Sequence, residues 1–319
     1  MTAAPTPNAS ALPIGDATWL LDLDFLGHPG TVGAYVVADG DDVALVETGP
    51  GSTLPALRAA LAAAGFALAQ VTRVIVTHIH LDHAGAAGAV LREAPRATFH
   101  VHPKGARHMI DPSKLIASAT RIYGDDMDRL WGAFEPVPAE RLHTLDDGEA
   151  VAVGRRRLVA LHTPGHAVHH VALHEPERGD VMTGDVAGVR LGALRYVRAP
   201  TPPPDIDLDA WRASVARLRA LDARRLLLTH FGAHDDVDWH LDELLARLYD
   251  SAGWIEGRFA LGGSPEATVP ALAARGAREV SDAGGDAALV DDYELATPSH
   301  MAVTGIARWL SQRDRMGAG

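Results

Sequence analysis

Apolar and polar positions in the first third of the chain alternate in short blocks. Residues 18–26, 31–37 and 42–47 are largely apolar runs split by Gly-containing breaks, and they predict three strands. Leu54, Leu57 and Leu61 then recur at helical spacing, behind a Ser52 that can cap a helix and ahead of a Gly65 that can end one. The run 71–77 predicts a buried strand. Residues 84–91 hold only Ala, Gly, Val and Leu, which suits a helix packed close against a sheet. A strand at 97–101 follows. Residues 104–143 break the alternation with a helical pattern rich in Met109, Ile110, Leu115, Ile116, Ile122, Tyr123, Trp131 and Phe134. This segment predicts a helical insertion. It either lines a substrate pocket or packs as core.

Strands resume at 149–153, 158–161, 170–174 and 181–183. A helix at 209–221 and a strand at 225–229 come next. Beyond about residue 237 the pattern is helical, through 239–254 and 298–312. Alternating strands and helices with several hairpin-like strands predict an α/β layered fold with a mixed sheet. Residues 1–12, rich in Ala, Pro, Thr and Ser, predict a frayed flexible tail. They have neither the basic start nor the apolar segment of a signal peptide.

Composition narrows the function classes. A chain of 319 residues can bury a large core as one large domain or two small ones. The formal net charge of −12 repels a phosphate backbone, so nucleic acid is not expected as a partner. The densest basic cluster, Arg155, Arg156 and Arg157, is expected at a solvated hairpin end. No apolar run is long enough to span a bilayer, so no membrane partner is expected. The expected location is the cytoplasm and the expected partner a small-molecule substrate. There are no cysteines, so any metal site must use His, Asp, Glu and water.

Chemistry concentrates at residues 77–85, Thr-His-Ile-His-Leu-Asp-His-Ala-Gly. His78, His80, Asp82 and His83 sit on the turn where a strand ends and a helix begins. Imidazole and carboxylate are the ligands of zinc and its neighbours, and such a turn aims several of them from a rigid base. Three later sites place a ligand-capable residue just past a strand or turn: His166 in Thr163-Pro164-Gly165-His166, Asp185 after Thr183-Gly184, and His230 at the end of an apolar run. In sheet proteins, residues at one sheet edge point into a common crevice.

This set, over roughly residues 17–232, closely resembles the metallo-β-lactamase superfamily, with its H-x-H-x-D-H motif followed by His, Asp and His. The resemblance implies an αββα sandwich, two mixed β-sheets flanked by helices. It implies a domain over residues 13–235, with the insertion at about 104–143 and a helical C-terminal extension over 236–319. That extension either packs on the same domain or forms a homodimer interface. By the same resemblance, His78, His80 and His166 hold one divalent ion, Asp82, His83 and His230 hold a second, and Asp185 bridges them with a hydroxide that serves as nucleophile. Zinc is the default metal, with manganese or iron also accepted. Glu47 stands where many members carry an Asp that braces the metal loop. His170 is a candidate orienting partner.

The segments 102–108, 111–114 and 196–205 resemble a branch with no firmly assigned substrate. The absence of Cys, and of a nuclease-type insertion between Asp185 and His230, points to the glyoxalase II-like and lactonase-like side. The implied activity is hydrolysis of a small ester, thioester or lactone. Asp82 could orient the hydroxide. Tyr196 is either an oxyanion or leaving-group donor or a packing residue. The alternatives are an iron enzyme like the sulfur dioxygenases of this fold, with one iron held by two His and one Asp, a phosphodiesterase, and a non-catalytic metal-binding module.

Overall fold

A computed structural model describes residues 9–317. The chain divides into two compact units, one of Met1–His162 with Val171–Arg178, the other of Thr163–His170 with Gly179–Gly319. The strands that precede Asp185 and His230 group with the C-terminal helices rather than with the motif at 77–85.

In the first unit, β1 (Ser10–Gly15), β2 (Thr18–Asp22), β3 (Gly33–Asp39), β4 (Asp42–Val46), β5 (Arg73–Ile75), β6 (Thr98–Val101) and β7 (Leu142–Thr144) form a sheet in sequence order. β1 to β4 pair antiparallel, and β4 to β7 pair parallel. The parallel half needs crossovers. They are α1 (Leu54–Ala63), then α2 (Leu81–Ala84) with α3 (Ala87–Glu93), then α4 (Pro103–Ile110), α5 (Ser113–Tyr123) and α6 (Met127–Leu130). The insertion is therefore the β6–β7 crossover. The central strands β3 and β4 are buried almost throughout, as strands covered on both faces must be. β1 is exposed and carries Pro13, which suits an edge. Of the expected tail, residues 1–8 lie outside the described residues. Ser10, Ala11 and Leu12 instead pair with Asp22, Leu21 and Leu20.

β8 (Ala150–Val153), β9 (Arg156–His162) and β10 (Val171–Glu175) form an antiparallel set in the same unit. Here Arg156 departs from expectation: it is 6% exposed, while Arg155 and Arg157 face solvent. Its Nε and NH2 groups donate to Glu175 at 2.7 Å each, and NH1 donates to Asp16 O at 2.9 Å and Ala17 O at 3.1 Å. NH2 also donates to Thr18 Oγ1 at 2.8 Å. A buried charge is tolerable only when paired and hydrogen-bonded this fully.

In the second unit, β11 (Asp180–Gly184) and β12 (Arg225–Leu228) pair parallel, joined by α7 (Leu208–Arg219), and β13 (Gly232–His234) pairs antiparallel with β12. Asp207 caps α7, accepting from the backbone N–H groups of Asp209 and Ala210. Four helices follow: α8 (Val237–Ala260), α9 (Pro265–Asp282), α10 (Ala287–Ala296) and α11 (Ser299–Gly317). Among the described residues, no helix is long and apolar enough to cross a membrane.

Candidate metal-binding residues

The first unit gathers His78, His80, Asp82 and His83 on the turn from β5 into α2. Glu47 sits behind them. It is fully buried, with φ of 67°, a left-handed conformation unusual for a non-glycine residue. Its carboxylate accepts from Thr77 N–H at 3.2 Å, from the Thr77 hydroxyl, and from His83 Nδ1 at 3.0 Å. A carboxylate only accepts, so His83 carries its proton on Nδ1 and presents the Nε2 lone pair. Nε2 lies 3.7 Å from Asp82 Oδ2. Thr77, having given its hydroxyl proton to Glu47, can accept from His78 Nδ1 at 3.1 Å. His78 Nε2 then faces His80 Nδ1 at 2.9 Å. Glu47 thus sets the ring orientation of His83 directly and of His78 through Thr77. The Thr48 hydroxyl and N–H both donate to His83 O, at 3.0 and 2.8 Å. Gly85 lets this segment close: a Cβ there would lie 2.9 Å from Pro50 Cα.

Tyr123 of the insertion stacks edge-on against Trp131, with ring centroids 5.1 Å apart. Trp131 in turn lies parallel on Phe25, and the Ser52 hydroxyl donates to Leu130 O. Burial first, and the charge of Asp82 second, push the Tyr123 phenol above its ordinary pKa.

The second unit gathers His166, His170, Asp185 and His230. The turn before His166 is pressed against α7. Gly165 has φ of 140°, and a Cβ there would lie 2.3 Å from Trp211 Cα, so only glycine fits. His166 Nδ1 donates to Pro200 O at 2.9 Å, which leaves the Nε2 lone pair pointing at Asp185 Oδ2, 3.3 Å away. The other oxygen, Oδ1, lies 3.4 Å from His230 Nε2. One carboxylate therefore stands between two imidazoles, and all three side chains are at least nine-tenths buried. His170 accepts from Asp185 N–H at Nε2, 3.2 Å away, and its Nδ1 donates to Thr163 Oγ1 at 2.8 Å.

Tyr196 is 2% exposed, and its hydroxyl donates to Glu279 Oε2 at 2.9 Å and accepts from Arg198 Nε at 3.2 Å. His240 of α8 is one of the buried histidines. It is fully buried, hydrogen-bonded to Ala187 O at 2.8 Å, and burial pulls its pKa down to about 4. Thr77, Pro200 and Trp211 escaped the sequence reading. Thr77 is adjacent to the motif and could have been found, whereas Pro200 acts through a carbonyl that every residue possesses. His102 and His162 lie against each other with tilted rings, their centroids 4.1 Å apart.

The profile of the metallo-beta-lactamase superfamily matches residues 28–230. The chain is 28% identical over 222 residues to a hydroxyacylglutathione hydrolase of Fuscovulum blasticum, covering 70% of this chain and 66% of the relative. It is 24% identical over 200 residues to an acyl-coenzyme A thioesterase of Bos taurus, covering 58% and 69%. The chain thus spans about two thirds of the length of these relatives. A solved structure of a metallo-beta-lactamase family protein from Thermus thermophilus superposes with a TM-score of 0.62 at 22% identity, covering 99% of this chain and 95% of that one. The fold is two mixed β-sheets flanked by helices, with helices at the C-terminal end.

Proposed function

The chain belongs to the metallo-β-lactamase superfamily, and from that premise we propose that it hydrolyses a small carboxylic ester, thioester or lactone with two divalent cations. His78, His80 and His166 would hold one ion, Asp82, His83 and His230 the other, and Asp185 both. The observation that carries this reading is the Asp185 carboxylate, whose two oxygens each face a different imidazole nitrogen at 3.3 and 3.4 Å. At His166 the proton is on Nδ1, so lone pair meets carboxylate, and a cation between them reconciles two electron-rich atoms. The donor set fits: imidazoles whose far nitrogens are fixed by Glu47, Thr77 or Pro200 are the oriented neutral ligands that zinc takes.

Such a pair of cations, when bound, lowers the pKa of a shared water toward neutrality and polarises the scissile carbonyl oxygen. The protein's own groups do the rest. Glu47 and Thr77 hold the imidazole lone pairs in place. Asp82, with 23% of its side chain exposed, would orient the attacking water and accept its proton. Tyr123 and Trp131 offer an apolar wall for the acyl part. A formal charge of −12 disfavours polyanionic substrates. The hydrolase and thioesterase names of the relatives support the thioester side.

Metal analysis with an activity panel tests this reading. Protein reconstituted with zinc or manganese should retain two equivalents and hydrolyse members of an ester, thioester and lactone panel. One iron with oxygen uptake, or two metals with phosphodiesterase activity alone, would overturn it.

A further inference from the structure

The three metal-facing residues of the second unit hang from one excursion of the chain, residues 185–200. It starts with Asp185 itself. Trp211 Nε1 donates to Val186 O at 2.7 Å. Val189 and Arg198 then exchange both backbone hydrogen bonds at 2.9 Å, closing a hairpin-like neck. Arg190 N–H donates to His230 O at 2.7 Å, and Phe231 N–H donates back to Arg190 O at 3.2 Å. At the far end Pro200 O takes the proton of His166 Nδ1. The excursion thus carries Asp185, grips the backbone of His230 and orients His166.

Its other face is tied to the C-terminal helices. Tyr293 of α10 is fully buried. Its hydroxyl accepts from Leu191 N–H at 2.9 Å and donates to Tyr196 O at 3.0 Å. That single oxygen clasps both arms of the excursion beyond the neck. The rings of Tyr196 and Tyr293 meet edge-on at 5.2 Å, and the Tyr196 hydroxyl reaches Glu279 on α9. Arg198 lies over the Tyr293 ring, 5.1 Å from its centroid. It can do so because α9 has Gly276 at that point, where a Cβ would come within 2.6 Å of the guanidinium. Behind the excursion is a cavity of about 40 Å³ bordered by Tyr196, Arg198, Thr201, Arg247 and Glu279.

We propose that Tyr293 is a positioning residue for the metal centre, and that α9 and α10 form a brace that fixes the spacing of His166, Asp185 and His230. The inference rests on the two-metal reading above. The hydroxyl, rather than the ring, carries the role. A phenylalanine fills nearly the same space but leaves Leu191 N–H and Tyr196 O without their shared partner. Leu191 directly follows Arg190, whose backbone holds His230. Slack therefore reaches His230 before His166, which is tied four residues beyond Tyr196. The ion that uses His230 loses affinity first.

Stepwise zinc titration of the apoprotein against a chromophoric chelator tests this. Wild-type protein should take two equivalents. Tyr293→Phe should still take two, one bound about tenfold more weakly, as for other partners that orient metal ligands, and the other within about threefold of wild type. Tyr196→Phe, which cuts only the links to Glu279 and Arg198, should weaken the same equivalent by a smaller factor, and it decides the matter if Tyr293→Phe does not fold. Val303→Ala, a truncation of a fully buried residue in α11, should lower thermal stability without changing either zinc affinity. Wild-type affinities for both ions in Tyr293→Phe, or in Tyr196→Phe where that variant decides, would overturn the brace. So would an equal loss in Val303→Ala. A wild type that takes fewer than two ions is a different failure, since it removes the two-metal reading and the brace with it.

Discussion

The two sets of candidate ligands are built in opposite ways. In the first unit four of them lie within six positions on one turn, and one buried carboxylate, Glu47, orients two of the rings. In the second unit His166, Asp185 and His230 come from segments up to 64 residues apart, positioned by a carbonyl, a helix side chain and a loop's backbone. The first set is a local device with one support. The second is a product of tertiary structure with many. A local device fails at a point, with the rest of the fold intact. A distributed one fails together with the unit that carries it.

Gly165→Ala should show the larger effect. Its added Cβ meets Trp211 backbone atoms at 2.3 and 2.6 Å, in a conformation that L side chains rarely adopt. Loss of about 3 kcal/mol of stability is expected, measured by urea denaturation, with metal affinity falling in step. Unchanged stability would mean that the second set is as local as the first.

Glu47→Gln should do the reverse. It keeps the shape but removes the charge that His83 and Thr77 face. Metal affinity should drop by about 10–100-fold while the melting temperature moves little. Collapse of the fold in this variant would erase the contrast between the two regions.

The last test is pH, and it draws on histidines of both units. Burial pulls His100 and His102 in the first unit and His240 in the second down to about 4. A histidine depressed in the folded state binds its proton more readily when unfolded. Stability is therefore complete above the unfolded value near 6.5 and declines as pH falls toward 4, by at most ~1.4 kcal/mol per pH unit for each such group. His240→Gln should flatten this slope by up to one proton's worth in denaturation curves taken from pH 7 to 4. An unchanged slope would show that His240 does not stay neutral in the folded protein.

This contrast also explains what was legible beforehand. The motif at 77–85 could be read because its meaning lies in spacing along one turn. Asp185 and His230 were legible only as polar residues ending apolar runs, and through the order of motifs in a family. The burial of His240 went unmarked, and Arg156 was misjudged, because nothing local marks a His or Arg as buried. Their partners are Ala187, 53 positions away, and Asp16, 140 positions away. Tyr293 was invisible for the same reason, since its role is to join Leu191 and Tyr196 across about 100 residues. The pairing of residues 10–12 with residues 20–22 is by contrast a local hairpin, which the Ala-, Pro- and Ser-rich composition of the segment conceals.

Arg156 has a consequence for synthesis. The carbonyls of Asp16 and Ala17 and the hydroxyl of Thr18 reach their final partner only when residue 156 has left the ribosome, and Glu175 must follow before that guanidinium is neutralised. At about 5–20 residues per second, roughly seven seconds or more separate the first strands from their closing bond. Through that interval the nascent amino-terminal sheet lacks the bond that closes it. This is the interval in which chaperone binding would matter most to its yield.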